Sequence, residues 1–326
     1  MARAGLNRTS ALATTTLVIG AEAADADMVG YLRGPVFGFA HHRGITHTFV
    51  GVPLVAAAVV LLMYGIYRLR WRWRPNFPRP RWSILFWLAC LAGLVHIALD
   101  YTNNYGVRPF EPFSYKWYAW DIVFIVEPVL LVFLIAGLVV PGFFRLINEE
   151  IGPRQKGPYG RTGAILALLG MLVLWGVRDY QHRRAVAAVE ARLYDGAVPL
   201  SVGVFPYWVN PFKWYAVAET QNSYQRMLVD SLTPEVDPGG HIEVQYKPEE
   251  TPITLAAKRS YLGRVYLDWA RFPYTETQEL SPAGSGYVVT FHDARYTYPG
   301  RLRNTLSARV YLDEKLKVVA ERWGSR

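Results

Sequence analysis

Between residues 49 and 177 the chain passes through four apolar stretches joined by short charged connections, and no other feature restricts its fold as strongly. The stretches are residues 49–67, 82–99, 122–144 and 162–177. A helix needs about 20 mostly apolar residues to cross the hydrocarbon core of a bilayer, where backbone polar groups must be bonded within the protein. The first and third stretches meet that length. The second meets it with Trp82 and His96 near the interfaces. The fourth is short and needs local thinning or an anchor such as Trp175. Mean hydropathy over the 326 residues is only +0.09, because residues 180–326 read as ordinary globular sequence. The expected architecture is an α-helical polytopic membrane domain of about four spans, residues 1–178. A soluble α+β, mainly antiparallel β, domain follows over residues 179–326.

The net charge of +9 would suit a nucleic-acid binder. Here the basic residues gather at the ends of apolar runs, so they orient the chain in a membrane, and no nucleic-acid partner is expected. Arg68, Arg70, Arg72, Arg74, Arg79 and Arg81 lie between the first two stretches. Arg145, Arg154, Lys156 and Arg161 lie between the last two. Excess positive charge marks cytoplasmic loops. Residues 1–48, the loop 101–121 and everything after 178 are then outside. This makes a multi-pass protein of the cytoplasmic (inner) membrane with an extracytoplasmic C-terminal domain. Arg178, Arg183 and Arg184 run against the assignment. Residues 11–20 are too weakly apolar for a cleavable signal peptide. The single cysteine, Cys90, rules out an intrachain disulfide.

After the last stretch, Ala185, Val186, Val189 and Leu193 recur at helical spacing, which predicts an amphipathic helix over 179–195. Short alternating segments at 214–220, 224–230, 241–246, 287–292, 308–312 and 317–321 predict strands. Turn signals at Asp237-Pro238-Gly239-Gly240 and Pro299-Gly300 separate them. One helix, over about 255–270, interrupts the strands.

The polar residues near the apolar stretches form a pattern. Asp25-Ala26-Asp27 comes first, then His41 to His47 directly before the first stretch. His96 and Asp100 close the second, and Glu127 lies inside the third. His96 and Asp100 are four residues apart and share a helix face, a ligand-like arrangement for zinc or a similar divalent ion. His96 and Glu127 each lie roughly 5–9 Å inside their helix ends, at similar depth. An ionisable group within a span is costly unless paired or metal-bound. Pro128 would leave the Phe124 carbonyl without its helical partner and open a turn beside Glu127. Taken singly, His41 reads as an interfacial residue, Asp25 and Asp27 as loop caps, and Thr46 as a helix cap.

At these residues the chain resembles the membrane-bound metal-dependent hydrolases of the YdjM-like family. His42-Arg43-Gly44-Ile45-Thr46-His47-Thr48 is similar to that family's HRGxTHS motif. Asp25-Ala26-Asp27 stands at its PDxD segment, with Ala24 in place of the proline. His96 to Asp100 with Thr102, Tyr105 and Gly106 resembles its HxxxDxxTxYG stretch. Ile125-Val126-Glu127-Pro128 resembles its acidic-Pro element, with Glu for Asp. Asn210 to Tyr215 resembles a segment of longer members that carry an extracytoplasmic tail. Members usually begin with a helix bearing a Thr-His pair before an ARAGL-like segment, matched here from Ala2. The expectation is a histidine encoded upstream of Met1, or a site one ligand short.

The resemblance implies hydrolysis, which metal-activated water at a membrane interface could perform on an ester or phosphoester. In that reading His47, His96 and Asp100 are the leading metal ligands, followed by Asp27 and His42. Glu127 is a ligand or the general base, and Arg43 stabilises negative charge on a phosphate-like group. The cofactor is a divalent metal, with zinc the first choice, and the partners are the lipid bilayer and a lipid-linked or amphipathic substrate. Oligomeric state is left open. A small transporter is the alternative, as is a non-catalytic scaffold with a structural metal.

Overall fold

The computed structural model describes residues 1–151, 160–208, 210–280, 282, 285–297 and 306–324, with backbone alone over 145–151. The expected turn at Pro299-Gly300 and the loop residues Arg154 and Lys156 lie outside the described residues. The chain divides into two compact units. One is Met1–Asp27 with Arg43–Arg178, the other Met28–His42 with Asp179–Arg326.

The helices in chain order are α1 (Ala13–Glu22), α2 (Pro35–His41), α3 (Gly51–Trp73), α4 (Trp82–Thr102), α5 (Pro128–Ile151), α6 (Arg161–Glu190), α7 (Pro252–Arg259) and α8 (Tyr261–Trp269). Among the described residues, three are long and apolar enough to cross a membrane: α3, α4 and α6. The apolar part of α5, Pro128–Phe144, is shorter. Such helices fit a lipid bilayer, which leaves no backbone polar group unbonded.

The core of the first unit joins α1, α3 and α4 through Leu17, Val52, Ala56, Met63, Leu85 and Ala92. Here the structure corrects the expectation that residues 1–48 lie on one side. Ser10 Oγ accepts from Arg81 N at 2.9 Å, ahead of the first turn of α4. Midway, Gly20 lies so close to α4 that a Cβ there would stand 3.2 Å from both Ala89 Cα and Ala92 Cβ. Beyond α1, Asp25 reaches His96 at 3.6 Å. The segment 10–25 therefore runs along α4 from its arginine end to its polar end, leaving residues 1–9 at the arginine end. It escaped a length criterion because α1 has only 10 helical residues and packs against protein.

The third stretch also differs. Residues 122–127 are not helical. Ile122 N and Val123 N donate to Thr102 O at 3.0 and 3.2 Å, which ties this segment to the end of α4. Helix α5 starts at Pro128, and Glu127 O accepts its first helical bond from Leu131 N at 3.1 Å. Proline at the first helical position loses no bond, so no opened turn arises at Phe124. The fourth stretch and the expected amphipathic helix are one continuous helix, α6, of 30 residues. No proline interrupts it, and at about 1.5 Å per residue it extends some 45 Å.

The strands are β1 (Ser201–Pro206), β2 (Lys213–Glu219), β3 (Ser223–Asp230), β4 (Glu235–Val236), β5 (Glu243–Tyr246), β6 (Pro273–Glu279), β7 (Tyr287–Asp293), β8 (Ala308–Leu312) and β9 (Val318–Trp323). They form two antiparallel sheets: β1-β2-β3-β4 with β5 also on β3, and β6-β7-β8-β9. The first sheet is buried on both faces. Trp214, Ala216 and Ala218 pack with Ala185 and Val189 of α6, whereas Tyr215 and Val217 pack with Phe205 and Phe272. The expected helix over 255–270 is two, broken at Ser260, whose Oγ accepts from Gly263 N at 3.0 Å and caps α8. The segment Met28–His42 joins this unit through Phe39, which stacks on Trp323 at 3.6 Å between ring centres and meets Trp269 edge-on at 5.5 Å.

Candidate metal centre

The polar end of α4 gathers most of the residues singled out above. Arg43 adopts a left-handed backbone (φ 54°) and turns the chain into the short 3-10 helix Ile45–His47. Thr48, not Thr46, then bonds the start of α3: its Oγ1 accepts from Gly51 N at 2.8 Å. Glycine is required at 51, because a Cβ there would overlap the Ile45 carbonyl. This close turn fixes His47, whose side chain is fully buried.

Four donor groups converge there. His47 Nε2 lies 3.2 Å from His96 Nε2 and 3.3 Å from Asp25 Oδ1. His96 Nε2 lies 3.6 Å from the same Asp25 oxygen. Asp100 Oδ2 is 3.5 Å from each of the two Nε2 atoms. His96 and Asp100 share a face of α4 because they are one turn apart. Donor atoms at zinc-like bond lengths around a common tetrahedral centre would be about 3.3–3.4 Å apart. The contacts of the two Nε2 atoms with each other and with the two carboxylates bracket that value, and Asp25, His47 and His96 form a group whose ligand atoms all lie close to one another. Asp100 Oδ2 is buried and accepts no hydrogen bond, so an anionic oxygen faces the imidazole pair with its demand unmet. The residues present fit a divalent cation.

The surrounding contacts orient these groups. Asp27 Oδ2 lies 3.2 Å from His47 Nδ1, on the opposite side of the ring from Nε2. It also accepts from Arg43 N at 2.8 Å and Thr46 Oγ1 at 3.2 Å. A proton held on Nδ1 by this carboxylate leaves the Nε2 lone pair for a ligand role. Arg43 donates from Nη2 to Asp100 Oδ1 at 2.8 Å and from Nη1 to Gly106 O at 2.8 Å, with its guanidinium 4.7 Å from the Tyr105 ring centre. Its charge steers Asp100. The imidazoles of His47 and His96 hold the Asp25 carboxyl well below the usual carboxylate range, against the upward push of burial. Burial pushes the His47 imidazole down, but bonds to Asp25 and Asp27 and the charges of Asp27 and Asp100 raise it overall.

Glu127 and His42 have further partners. Glu127 pairs with Arg178, Oε2 to Nη2 at 2.8 Å, with both side chains buried. Phe124 N donates weakly to the same oxygen at 3.4 Å. Arg178 is thus the partner of a buried acid. Arg183 is bonded to Asp179 at 2.7 Å. His42 follows α2 in the second unit, its ring edge-on to Tyr31 at 6.5 Å. The sequence points to Asp27 as a ligand, whereas it is Asp25 whose oxygen approaches both Nε2 atoms. Its two-residue spacing from Asp27 was the available signal, since in a tight turn such neighbours reach different atoms of one ring.

A bundle of apolar helices carrying a buried His/Asp cluster, followed by antiparallel sheets, defines a membrane protein with a candidate metal centre and an appended β domain. The family described as YdjM inner membrane protein matches residues 1–185, and the chain belongs to that family. It is 26% identical over 121 residues to the uncharacterized protein YfhP of Bacillus subtilis (strain 168). That alignment covers 37% of this chain and 34% of YfhP, so the chain spans about a third of that relative. No solved structure matches.

Proposed function

We propose that this chain is a membrane-bound metal-dependent hydrolase that acts at the membrane interface on an ester or phosphoester of an amphipathic substrate. The observation that carries the reading is that His47 Nε2 and His96 Nε2 lie within 3.2–3.6 Å of each other and of Asp25 and Asp100 oxygens. Two imidazoles with carboxylates suit zinc or a similar borderline ion. A divalent ion there would supply Lewis acidity towards an ester or phosphoester oxygen and make water acidic near pH 7. The chain's own residues do the positioning. Asp27 holds the His47 ring and its tautomer, and Arg43 aims Asp100 through a bond from Nη2 to Oδ1. Glu127 serves the helix bundle through Arg178 and does not belong to the reacting set.

The location of the cluster supports an amphipathic substrate, since it lies at the end of α4 opposite Arg81. We assign that end and the C-terminal unit to the extracytoplasmic side, because the loop 68–81 carries the strongest positive charge. Native Cys90 is buried, so cysteine labelling has a low background. An externally added reagent should modify Glu249→Cys and spare Asn76→Cys; the reverse would overturn the orientation. For the activity, purified protein should bind close to one equivalent of metal and hydrolyse chromogenic esters or phosphodiesters. His96→Ala and Asp25→Ala should lose both properties. Equal metal content in wild type and both variants would remove the centre. Metal binding without hydrolysis of any ester class would leave a structural metal and overturn the enzyme reading.

A further inference from the structure

The helical unit carries a second feature, away from the His/Asp cluster. A cavity of about 590 Å³ opens along α5 and α6, walled by Phe133, Val140, Phe144 and Leu166. The two helices cross closely at Gly137 and Gly163, where a Cβ on either would overlap a backbone oxygen of the other helix. The small residues bring the helices together and leave the larger side chains to wall a groove beside the crossing. The groove runs from Arg161 to Gly170. Nine helical rises make about 14 Å. One leaflet of a hydrocarbon core about 30 Å thick is close to the same depth.

One end of the groove is charged. Arg161 is exposed, and its Nε donates to Ala4 O at 3.1 Å. Arg3 is exposed as well, and its Nη1 donates to Leu138 O at 2.9 Å. Neither arginine has a carboxylate partner among the described residues. Each keeps guanidinium N–H groups for another acceptor. An apolar slot one leaflet deep, with Arg161 in its wall and Arg3 bonded to the adjacent Leu138 carbonyl, neither paired with a carboxylate among the described residues, matches a molecule with an apolar tail and an anionic head.

We propose that this groove binds one phospholipid with an anionic headgroup, an acyl chain lying along α5 and α6 and the phosphate on Arg3 and Arg161. Guanidinium and phosphate form charge-assisted hydrogen bonds, and the tail buries the exposed walls. The site is separate from the His/Asp cluster, and its occupancy stands whether or not that cluster hydrolyses anything.

The test is native mass spectrometry of the full chain in a neutral detergent, titrated with phosphatidylglycerol or phosphatidylcholine. Wild type should retain one phosphatidylglycerol in preference to phosphatidylcholine. Arg3→Gln and Arg161→Gln should each weaken phosphatidylglycerol retention about fivefold and leave phosphatidylcholine unchanged. Leu166→Trp should weaken both lipids, because Leu166 is exposed in the groove and outside the close crossing. Unchanged metal content in all three variants reports that the fold is kept. Equal retention of the two lipids by wild type, or equal phosphatidylglycerol retention in all variants, means surrounding lipid only and overturns the proposal. Displacement by inorganic phosphate, or a lipid-free dimer that Leu166→Trp dissociates, also overturns it, by giving the groove another occupant.

Discussion

Glu127→Gln separates two roles for the acid that opens α5. The Glu127 and Arg178 side chains are 1% and 0% exposed and 2.8 Å apart, so solvent does little to soften the loss of one charge. Removing one member of such a buried pair costs about 3–5 kcal/mol, because the other is left uncompensated. At roughly 2–4 °C per kcal/mol for a unit of this size, Tm in detergent should fall by about 6–20 °C. The double variant Glu127→Gln/Arg178→Met removes both charges and should recover most of that loss, since a buried pair and its apolar replacement are often close in stability. Thermal unfolding of wild type, Glu127→Gln, Arg178→Met and the double variant closes the cycle, and metal content measured on the same samples separates pairing from ligation. A Glu127→Gln protein with unchanged Tm would refute the pairing argument. One that loses its metal as completely as His96→Ala would return Glu127 to the centre.

Asp27→Asn should keep the donor cluster but lower metal affinity about 10–100-fold, because the carboxylate that orients His47 is lost; unchanged affinity in a competition titration would make Asp27 a bystander. Metal affinity should fall as pH drops from 8 to 6, since a raised His47 pKa keeps the metal-free site protonated to higher pH than a free imidazole. Calorimetry in buffers of different ionisation enthalpy should then show proton release on loading, and no release would contradict a protonated His47. Phe39→Ala should destabilise the second unit by about 3–5 kcal/mol, as its ring is 4% exposed and stacked on Trp323. Near-ultraviolet circular dichroism of the tryptophans reads that loss, and an unchanged spectrum and Tm would exclude Phe39 from the core.

The helices α3 and α4 were legible because their apolar runs are long and their arginines lie at one end. The strands β2, β3, β7 and β8 were legible because β-branched and aromatic residues alternate between turn signals. Three strands were not. In β1, Pro206 and Gly203 read as breakers. In β6, Thr275, Glu276, Thr277, Gln278 and Glu279 are all polar, although β7 pairs with them along the whole strand. The third, β4, is only two residues long. Pairing with a neighbour decided these strands, and a neighbour is not visible in a local pattern.

The candidate centre was partly legible for a related reason. His96 and Asp100 share a helix face through a local periodicity, so four residues of sequence suffice to place them together. Asp25 depends on a non-local fact, the course of α1 along α4. That helix carries Thr14, Thr15 and Thr16 and is 10 residues long, so it does not look like a crossing segment. The fold tolerates it because Thr16 Oγ1 donates to Leu12 O at 3.0 Å and Gly20 lets α1 approach α4 to contact distance. A polar, short helix can run through an apolar bundle when its hydroxyls bond its own carbonyls and a glycine faces its neighbour. The carboxylate beyond its last turn then meets His47 and His96 at the far end of the bundle. The length of the run, which identified the lipid-facing helices, was the wrong criterion for the one helix that delivers Asp25.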